Sequence, residues 1–230
     1  MTIVVPALDE AVGLGETLAR AGAACPGAEI VVVDGGSTDG TVDVAEKKKA
    51  RVMIGARGRG LQQNAGARAA SGDVLLFLHA DTHLPLGAGA AVRNAFNDPR
   101  VVGGNFRLAF DPPVLLNRVF ARIYNARAKT ARHYYGDSCL FVRRNTFDEL
   151  GGFREGMLME DWEFVRRLEA RCRRRDERTV LLPLTVTTSA RRFAGRRRWR
   201  YLYLWSKLHF LHARGVSGDE LAALYPDVRT

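Results

Sequence analysis

Short apolar runs alternate with helix-like segments through the first 98 residues of the chain. The apolar runs predict strands at Ile3–Val5, Glu29–Asp34, Arg51–Ile54 and Asp73–Leu78. Helices are expected between and after them, at about 9–24, 41–49, 61–70 and 86–96. Because strands and helices alternate strictly, we expect an α/β fold in which these strands form a parallel sheet with right-handed crossovers.

The second part of the chain has a less regular pattern. A long helix is predicted at Val114–Ala131, and its apolar residues near one face are Leu115, Val119, Ile123 and Ala126. No repeat, low-complexity linker or clear boundary divides the chain, so we expect a single domain. The other predicted elements are strands at Val101–Phe110, Ser138–Arg143 and Val180–Val186 and helices at Thr146–Leu150, Glu160–Arg171 and Trp199–Ala213.

The charge of the chain is strongly positive and unevenly placed. The formal net charge is +10, and the stretch from Arg191 to Arg214 holds eight Lys or Arg and no acidic residue. A surface of this kind attracts phosphate-bearing ligands, polyanions or an anionic membrane face.

The aromatic residues within this basic stretch allow three interpretations. Its apolar face can pack on the core, or Trp199, Tyr203 and Trp205 can lie at the headgroup level of an anionic membrane. Nucleic-acid binding is the third, but no stacking module or recognition motif supports it.

Targeting features point to the cytoplasm. No signal peptide precedes the first strand, and no apolar run approaches the ~20 residues that a spanning helix needs. The cysteines at positions 25, 139 and 172 lack metal-ligand spacing and suit free thiols in a reducing compartment. We expect a cytoplasmic protein, with peripheral contact at the inner face of a membrane as an open interpretation.

Two of the predicted strands end in an acidic residue. Asp34 follows Val31–Val33 and precedes two glycines, and Asp81 closely follows Val74–Leu78. Open α/β sheets bind ligands at the carboxyl ends of their strands, so the two carboxylates predict one ligand site. The alternative is that each Asp only forms a turn or caps a helix.

His79 and Asp81 are two residues apart at the end of a predicted strand. In extended backbone such residues point to one side, where they can bind a divalent metal together. Mg²⁺ prefers oxygen ligands, whereas Mn²⁺ also accepts imidazole. A purely structural role for His79 stays equally open.

Glu160 and Asp161 follow the glycine-containing segment 151–157, which can act as a closing loop. A carboxylate there can serve as a general base, although acidic residues are also common in the first turn of any helix. Arg57, Arg59 and Asn64 lie where a basic, glycine-rich loop meets a helix. They predict phosphate or nucleotide binding, or simply a solvated loop.

Together these segments resemble the family 2 glycosyltransferases, which have a GT-A fold with a mostly parallel central sheet. The resemblance covers about residues 1–170 in the family's order, and the run from Tyr135 to Arg144 looks like a small bacterial branch often labelled for arsenosugar biosynthesis. The matching segments are Ile3–Glu10, Val33–Thr41, Asn64–Gly66, Ser71–Asp81, Gly151–Phe153 and Glu160–Asp161.

The resemblance implies an inverting transfer from a UDP or GDP sugar to an acceptor hydroxyl, which the basic rim suggests is anionic or lipid-linked. It implies that Asp161, with Glu160 beside it, is the general base and that Asp81, with His79, binds Mg²⁺ or Mn²⁺. It also implies a nucleotide-sugar-binding half at 1–98 (the donor half), an acceptor and catalytic half at 99–190 (the acceptor half) and a basic aromatic tail at 191–230. The nucleotide-binding residues would be Pro6, Ala7, Asp9, Glu10, Asp34, Arg59, Asn64 and Ala80.

The chain departs from the family pattern at two places. The usual Asp-x-Asp is His79-Ala80-Asp81, which leaves the metal open, and the later Gln-x-x-Arg-Trp element is absent as such, although Arg191 and Arg196–Trp199 fall in that region.

Two other functions remain as alternatives. A nucleotidyltransferase needs a basic, glycine-rich loop after the first strand, where this chain has the acidic Pro6–Glu10. A non-catalytic nucleotide-sugar-binding protein would lack the base or metal carboxylate, yet Asp81, Glu160 and Asp161 are all present.

Overall fold

The computed structural model describes residues 1–191, which form an eight-stranded mixed sheet with helices on both faces. The strands are β1 Thr2–Ala7, β2 Glu29–Asp34, β3 Arg51–Ile54, β4 Val74–Phe77, β5 Thr82–His83, β6 Val101–Asp111, β7 Phe141–Arg143 and β8 Arg178–Ser189. The helices are α1 Ala11–Ala24, α2 Thr41–Lys47, α3 Arg59–Ala69, α4 Ala88–Ala95, α5 Leu115–Ala131, α6 Arg144–Glu149 and α7 Glu160–Arg175, with a short 3-10 helix at Gly136–Ser138.

The predicted helix at Trp199–Ala213, and with it the aromatic membrane contact at Trp199, Tyr203 and Trp205, lies outside the described residues. Within residues 1–191, no helix combines the length and apolarity needed to cross a membrane.

The donor half confirms the predicted parallel sheet. β3, β2, β1 and β4 are neighbours in that order, and every pair among them is parallel. Ala7 pairs with Asp34, and Asp34 pairs with Ile54, so the carboxyl ends of three strands are level. Ile3, Val4 and Val5 are fully buried, as expected for a strand that is covered on both faces.

The acceptor half is mixed. β7 pairs antiparallel with both β4 and β6, whereas β8 runs parallel to β6 and antiparallel to β5. The two-residue strand β5 escaped prediction because its pairing depends on β8, which lies about 100 residues later. The mixed sheet remains consistent with the predicted GT-A architecture.

An aromatic cluster fixes the position of α7. Phe153, in the loop before this helix, lies 4.8 Å from Phe77 and 5.0 Å from Phe164, measured between ring centroids. Phe147 of α6 lies 5.2 Å from Phe164. These rings are buried against β4, and the first turn of α7 contacts Arg59 at the start of α3.

Helix α5 has its apolar stripe on the outside. Leu115, Val119, Ile123 and Ala126 do share a face, as predicted, but that face is exposed. The buried residues of α5 are instead Asn117, Ala121 and Ala128. The amphipathic pattern therefore identified the helix and does not identify its core face.

Candidate active site

The turn after β2 is organised by the carboxylate of Asp34. Its Oδ2 accepts hydrogen bonds from the N–H groups of Gly36 at 2.9 Å and Ser37 at 2.8 Å, and its Oδ1 accepts one from the Ser37 hydroxyl. Asp34 therefore has the turn-forming role that the sequence left open. A carboxylate has about four acceptor positions, so this role leaves room for a ligand contact as well.

The loop after β1 is tied to the loop after β2. Asp9 accepts a 2.8 Å hydrogen bond from the N–H of Thr38. At the start of α1, Asp39 accepts a 3.1 Å bond from the N–H of Ala11, whereas Glu10 makes no side-chain capping bond. Asp39 thus serves the helix, and Glu10 is directed elsewhere.

Gln62 joins the ends of β1 and β2, a role that the sequence did not reveal. Its amide Nε2 donates to the carbonyl oxygens of Ala7 and Val33, each at 2.8 Å. Ala7 is buried, and the preceding Pro6 is half-buried. Gln62 therefore fixes the backbone of the predicted nucleotide-binding residues Pro6 and Ala7.

The segment His79–Asp81 follows β4 at the same edge of the sheet. Ala80 is buried, and its carbonyl oxygen accepts a 2.8 Å hydrogen bond from the Thr17 hydroxyl of α1. Asp81 is half-buried at the surface of the edge. The structure therefore brings Asp81 to the edge that already carries Asp34, as predicted from the two strand ends.

Arg191 bridges two of the predicted residues. Its guanidinium pairs with Glu10, with one N–O distance of 2.6 Å, and lies 3.4 Å from Oδ2 of Asp81. The hydrogen bond to Glu10 raises the pKa of Arg191. Sequence reasoning placed Arg191 only in the region of the family's Gln-x-x-Arg-Trp element and assigned it no contact.

Glu160 and Asp161 open helix α7 and are both buried. Oδ2 of Asp161 accepts a 2.7 Å hydrogen bond from the N–H of Gly136, and Oδ1 accepts one at 2.8 Å from the N–H of Trp162. These bonds fix the orientation of the Asp161 carboxylate, as a proton acceptor in a reaction requires.

Arg59, the first residue of α3, connects the donor half to this carboxylate pair. Its guanidinium donates to Oε2 of Glu160 at 3.2 Å and lies 3.7 Å from Oδ1 of Asp161. Burial lowers the pKa of Arg59, but the charges of Glu160 and Asp161 outweigh burial and raise it above its usual range. Arg59 therefore contacts the candidate base, and its nucleotide contact stays a prediction.

His79 faces the same place as Asp161. A Cβ atom on Gly136 would lie 3.1 Å from Nε2 of His79 and 3.0 Å from Oδ2 of Asp161. Nε2 is buried and has no hydrogen-bond partner within the described part of the chain. Burial and the Arg59 charge lower the pKa of His79, while nearby carboxylates oppose them, so this imidazole is held neutral.

Asp137 is an acidic residue near this site that sequence reasoning did not single out as functional. Its charge favours the protonated forms of both Arg59 and His79, but burial and the Arg59 charge outweigh it at His79, whose pKa is lowered. The sequence signal that could have identified Asp137 is its position in the run from Tyr135 to Arg144, which carries part of the family resemblance.

Asn64 has a structural role, and its nucleotide contact stays a prediction. Its side-chain amide exchanges two hydrogen bonds with the backbone of Phe153, at 2.8 and 2.9 Å, and donates a third to Glu155 at 3.2 Å. Because Asn64 is buried and its amide is used in this way, it holds the loop before α7 against α3.

The metal prediction can be tested on the donor set. Residues 1–191 contain no group of three or more His, Cys, Asp or Glu side chains that could hold an ion by themselves. Mg²⁺ in phosphate-transfer sites is commonly held by one or two carboxylates together with substrate phosphates, and Asp81 fits that arrangement. The imidazole of His79 is a donor that Mn²⁺ accepts, but its buried Nε2 faces Gly136 and Asp161, so a metal site shared by His79 and Asp81 stays a prediction.

The family model described as Glycosyl transferase family 2 matches residues 2–151 of the chain. The chain belongs to glycosyl transferase family 2. This membership agrees with the edge geometry, since the matched range includes Asp34, Arg59, Asp81 and the Gly136 amide that binds Asp161. No curated protein matches the chain significantly.

Solved structures support the GT-A fold of this family 2 glycosyltransferase. A mannosyltransferase from Pyrobaculum calidifontis, in complex with GDP-Man and Mn²⁺, is 22% identical with a TM-score of 0.69, over 92% of this chain and 63% of that chain. Glucosyl-3-phosphoglycerate synthase from Mycobacterium tuberculosis, with Mn²⁺, UDP and glucosyl-3-phosphoglycerate, is 18% identical with a TM-score of 0.60, over 90% and 76%. S. aureus TarS 1–349 with UDP-GlcNAc is 17% identical with a TM-score of 0.63, over 86% and 60%.

The chain thus spans less than two thirds of the mannosyltransferase and of TarS. At these identities the likeness shows the fold.

Proposed function

We propose that the protein transfers a sugar from a nucleoside-diphosphate sugar to an acceptor hydroxyl with inversion, and that Asp161 is the general base. The observation that carries this proposal is the contact of Arg59 with Glu160 and Asp161, because it joins the carboxylates of α7 to the half of the sheet whose strand ends carry Asp34 and Asp81. The three neighbours that are bound to UDP, UDP-GlcNAc or GDP-Man support a UDP or GDP sugar as the donor.

The chemical step balances with these residues. Asp161 accepts the proton of the acceptor hydroxyl, and the oxygen attacks the anomeric carbon on the face opposite the leaving group. The bond between that carbon and the diphosphate oxygen breaks, and its electron pair leaves with the nucleoside diphosphate. Attack from the opposite face inverts the anomeric centre, and a fixed base of this type contributes about 10²- to 10⁴-fold in rate.

Asp161 can act as a base because its surroundings hold it in place. The Gly136 amide and the Trp162 amide each donate to a different carboxylate oxygen. Arg59 places a positive charge beside Glu160 and Asp161, which offsets the repulsion between these two buried carboxyl groups. In this proposal Glu160 positions Arg59, and Asp161 meets the acceptor.

The donor would lie along the carboxyl edge, with Pro6, Ala7, Asp9, Glu10 and Asp34 around the nucleoside. A divalent ion, if bound, would be held by Asp81 and His79 and would neutralise charge on the diphosphate leaving group. Arg191, already paired with Glu10 and close to Asp81, offers a second positive charge at that place. The basic tail supports an anionic or lipid-linked acceptor.

Thermal unfolding against nucleoside diphosphates, with and without Mn²⁺ or Mg²⁺, tests the donor site first. A ligand at about 100 times its Kd should stabilise the fold by roughly 2.7 kcal/mol. A shift that needs the ion, and that Asp81→Asn abolishes, would support the metal site. A shift without the ion would support nucleotide binding by the proposed transferase but would contradict the proposed metal site.

The general base is tested by Asp161→Asn, with Asp148→Asn, an exposed carboxylate on α6, as the matched control. We expect Asp161→Asn to keep the nucleotide-induced shift but to release nucleoside diphosphate from the matching sugar nucleotide at least about 10²-fold more slowly. Full turnover by this variant would remove Asp161 from the mechanism. Nucleotide binding without any turnover in the native protein would favour a non-catalytic nucleotide-sugar-binding protein.

A further inference from the structure

The outer face of α5 is apolar although it points away from the core. Leu115 is 79% exposed, Val119 43% and Ile123 52%. Residues four apart lie above one another on a helix, so these three side chains form one continuous row, here called the α5 stripe. Large side chains in such a row are unusual on a free surface and indicate a contact with something else.

The orientation of α5 is fixed from its inner side. Asn125 accepts a 2.8 Å hydrogen bond from the N–H of Leu108 and donates one of 2.9 Å to the carbonyl oxygen of the same residue. The Tyr124 hydroxyl accepts a 2.7 Å bond from the N–H of Tyr135. Because β6 and the loop after α5 hold the helix in this way, the helix cannot turn its α5 stripe into the core without breaking these bonds.

The polar residues of the helix are all neutral or basic. The stretch from 112 to 136 contains no Asp or Glu, and its basic residues are Arg118, Arg122, Arg127, Lys129 and Arg132. Arg118, Arg122 and Lys129 are exposed. At 100° per residue, they project along one side of the α5 stripe. An apolar row bordered by cations is the pattern of a helix that lies in the interface of an anionic membrane.

We propose that the α5 stripe lies in the headgroup region of an anionic lipid surface, with Arg118, Arg122 and Lys129 on the lipid phosphates. Each basic residue near such a surface strengthens membrane binding about fivefold. Burial of the apolar side chains in the headgroup region adds binding free energy that does not depend on charge.

The place where the described chain ends supports the same partner. The N–H of Ala190 donates a 2.8 Å hydrogen bond to the carbonyl oxygen of Asp111, four residues before α5. The stretch that continues from Arg191 to Arg214 holds eight basic residues and no acidic one. An anionic surface attracts both cationic stretches of the chain.

A fluorescent probe on the α5 stripe tests the contact directly in the full chain. Ile123→Cys is labelled with a polarity-sensitive thiol dye, which is selective because Cys25, Cys139 and Cys172 are buried. Leu86→Cys, at a separate exposed apolar position, is the matched control. We expect the dye at 123 to shift to the blue with phosphatidylglycerol-containing vesicles and to stay unchanged with pure phosphatidylcholine, while the dye at 86 responds to neither.

Co-sedimentation with the same vesicles measures the contribution of each part. We expect Leu115→Gln with Val119→Gln to weaken binding at least about tenfold, and Arg118→Gln with Arg122→Gln to weaken it about thirtyfold. Val12→Gln with Leu86→Gln, which removes two exposed apolar residues elsewhere, should bind like the native chain. All these positions are exposed, so thermal midpoints should stay close to the native value.

Three results would overturn the proposal. Native binding by the Leu115→Gln, Val119→Gln variant would place the lipid contact outside α5. Equal binding to neutral and anionic vesicles would show that Arg118, Arg122 and Lys129 do not contribute to binding through their charge. A dye at 123 that is already blue-shifted without vesicles would show that protein covers the α5 stripe, and sedimentation equilibrium would then distinguish a second copy from residues 192–230 of the same chain.

Discussion

The donor half and the acceptor half contribute to one candidate site in different ways. In the donor half, Asp34 ends its strand and Asp81 follows closely after its own, and strand register brings them to one edge. In the acceptor half, Asp161 is placed by the amide of Gly136, 25 residues earlier, and by Arg59 on a helix of the donor half. Local sequence thus positions the donor side, whereas contacts between distant residues position the candidate base.

The largest difference in stability between the two halves is expected when a glycine in each half is replaced by alanine. In the acceptor half, a Cβ on Gly104 would lie 2.1 Å from the carbonyl oxygen of Val180, an atom that the sheet holds in place. In the donor half, a Cβ on Gly66 would lie 2.4 Å from a Val4 methyl group. We expect Gly104→Ala to lower the free energy of unfolding by about 3 kcal/mol or more and Gly66→Ala by about 1–2 kcal/mol, because alanine favours the helix at 66.

Urea denaturation measures both changes, with Gly22→Ala as the control. Gly22 lies in α1, and nothing stands within 4 Å of its added Cβ, so alanine should raise stability by about 0.5–1 kcal/mol. Equal losses at 104 and 66 would mean that the strand backbone yields as readily as a side chain.

The contact between the halves is tested by Arg59→Gln. The Arg59 side chain is 37% exposed, so we expect a moderate loss of about 1–3 kcal/mol in stability. A double-mutant cycle with Glu160→Gln should show coupling of at least about 0.5 kcal/mol, because the two side chains are in contact. Arg68→Gln, an exposed arginine on the same helix, is the control. If the stability losses of Arg59→Gln and Glu160→Gln were simply additive, the two side chains would not be energetically coupled, and the argument for a site shared by the two halves would be weaker.

The smallest effect is a pH dependence within the donor half. Burial raises the pKa of Glu29, but hydrogen bonds from the Ser71 amide, the Thr2 hydroxyl, the Ser71 hydroxyl and Arg51 outweigh it and lower the pKa to about 2. Since the folded pKa lies below the ordinary value of 4.5, the stabilisation is present above pH 4.5 and is lost as the pH falls toward 2.

We therefore expect Glu29→Gln to lower stability by about 1–3 kcal/mol at pH 7 and to differ little from the native chain near pH 2. Thermal unfolding at a series of pH values checks this, with Glu46→Gln on the exposed side of α2 as the control. If the stability difference between Glu29→Gln and the native chain stayed constant from pH 7 to pH 2, the loss would come from altered packing and not from the charge of Glu29.

Most of the donor half could be predicted from the sequence because apolar runs and glycines are local signals. The bounds of β2 and β3 agree with the predicted ones, and Asp34 and Asp81 both follow strands whose carboxyl ends lie at one edge of the sheet. The family membership and the GT-A fold were likewise accessible, since several short motifs occur in order.

The remaining features depend on partners that a local pattern does not show. Arg59 and Asn64 look alike as residues of a basic, glycine-rich segment, yet one contacts the candidate base and the other holds the Phe153 loop. The periodicity of α5 shows which residues share a face, but only the hydrogen bonds of Asn125 and Tyr124 decide which face is inside. Catalytic and nucleotide-binding roles of the individual residues stay predictions.

Arg191 connects the carboxyl edge of the sheet, where the ligand is proposed to bind, to the residues that follow position 191. This residue ends the described chain and pairs with Glu10 and Asp81, which belong to the loops after β1 and β4. A cation that competes for those carboxylates, or a phosphate that competes for the guanidinium, changes how firmly residue 191 is anchored. Because coupling free energies are reciprocal, whatever restrains the chain beyond 191 must change the affinity of the edge for its ligand by the same factor. Truncation after position 191 is therefore expected to alter ligand affinity.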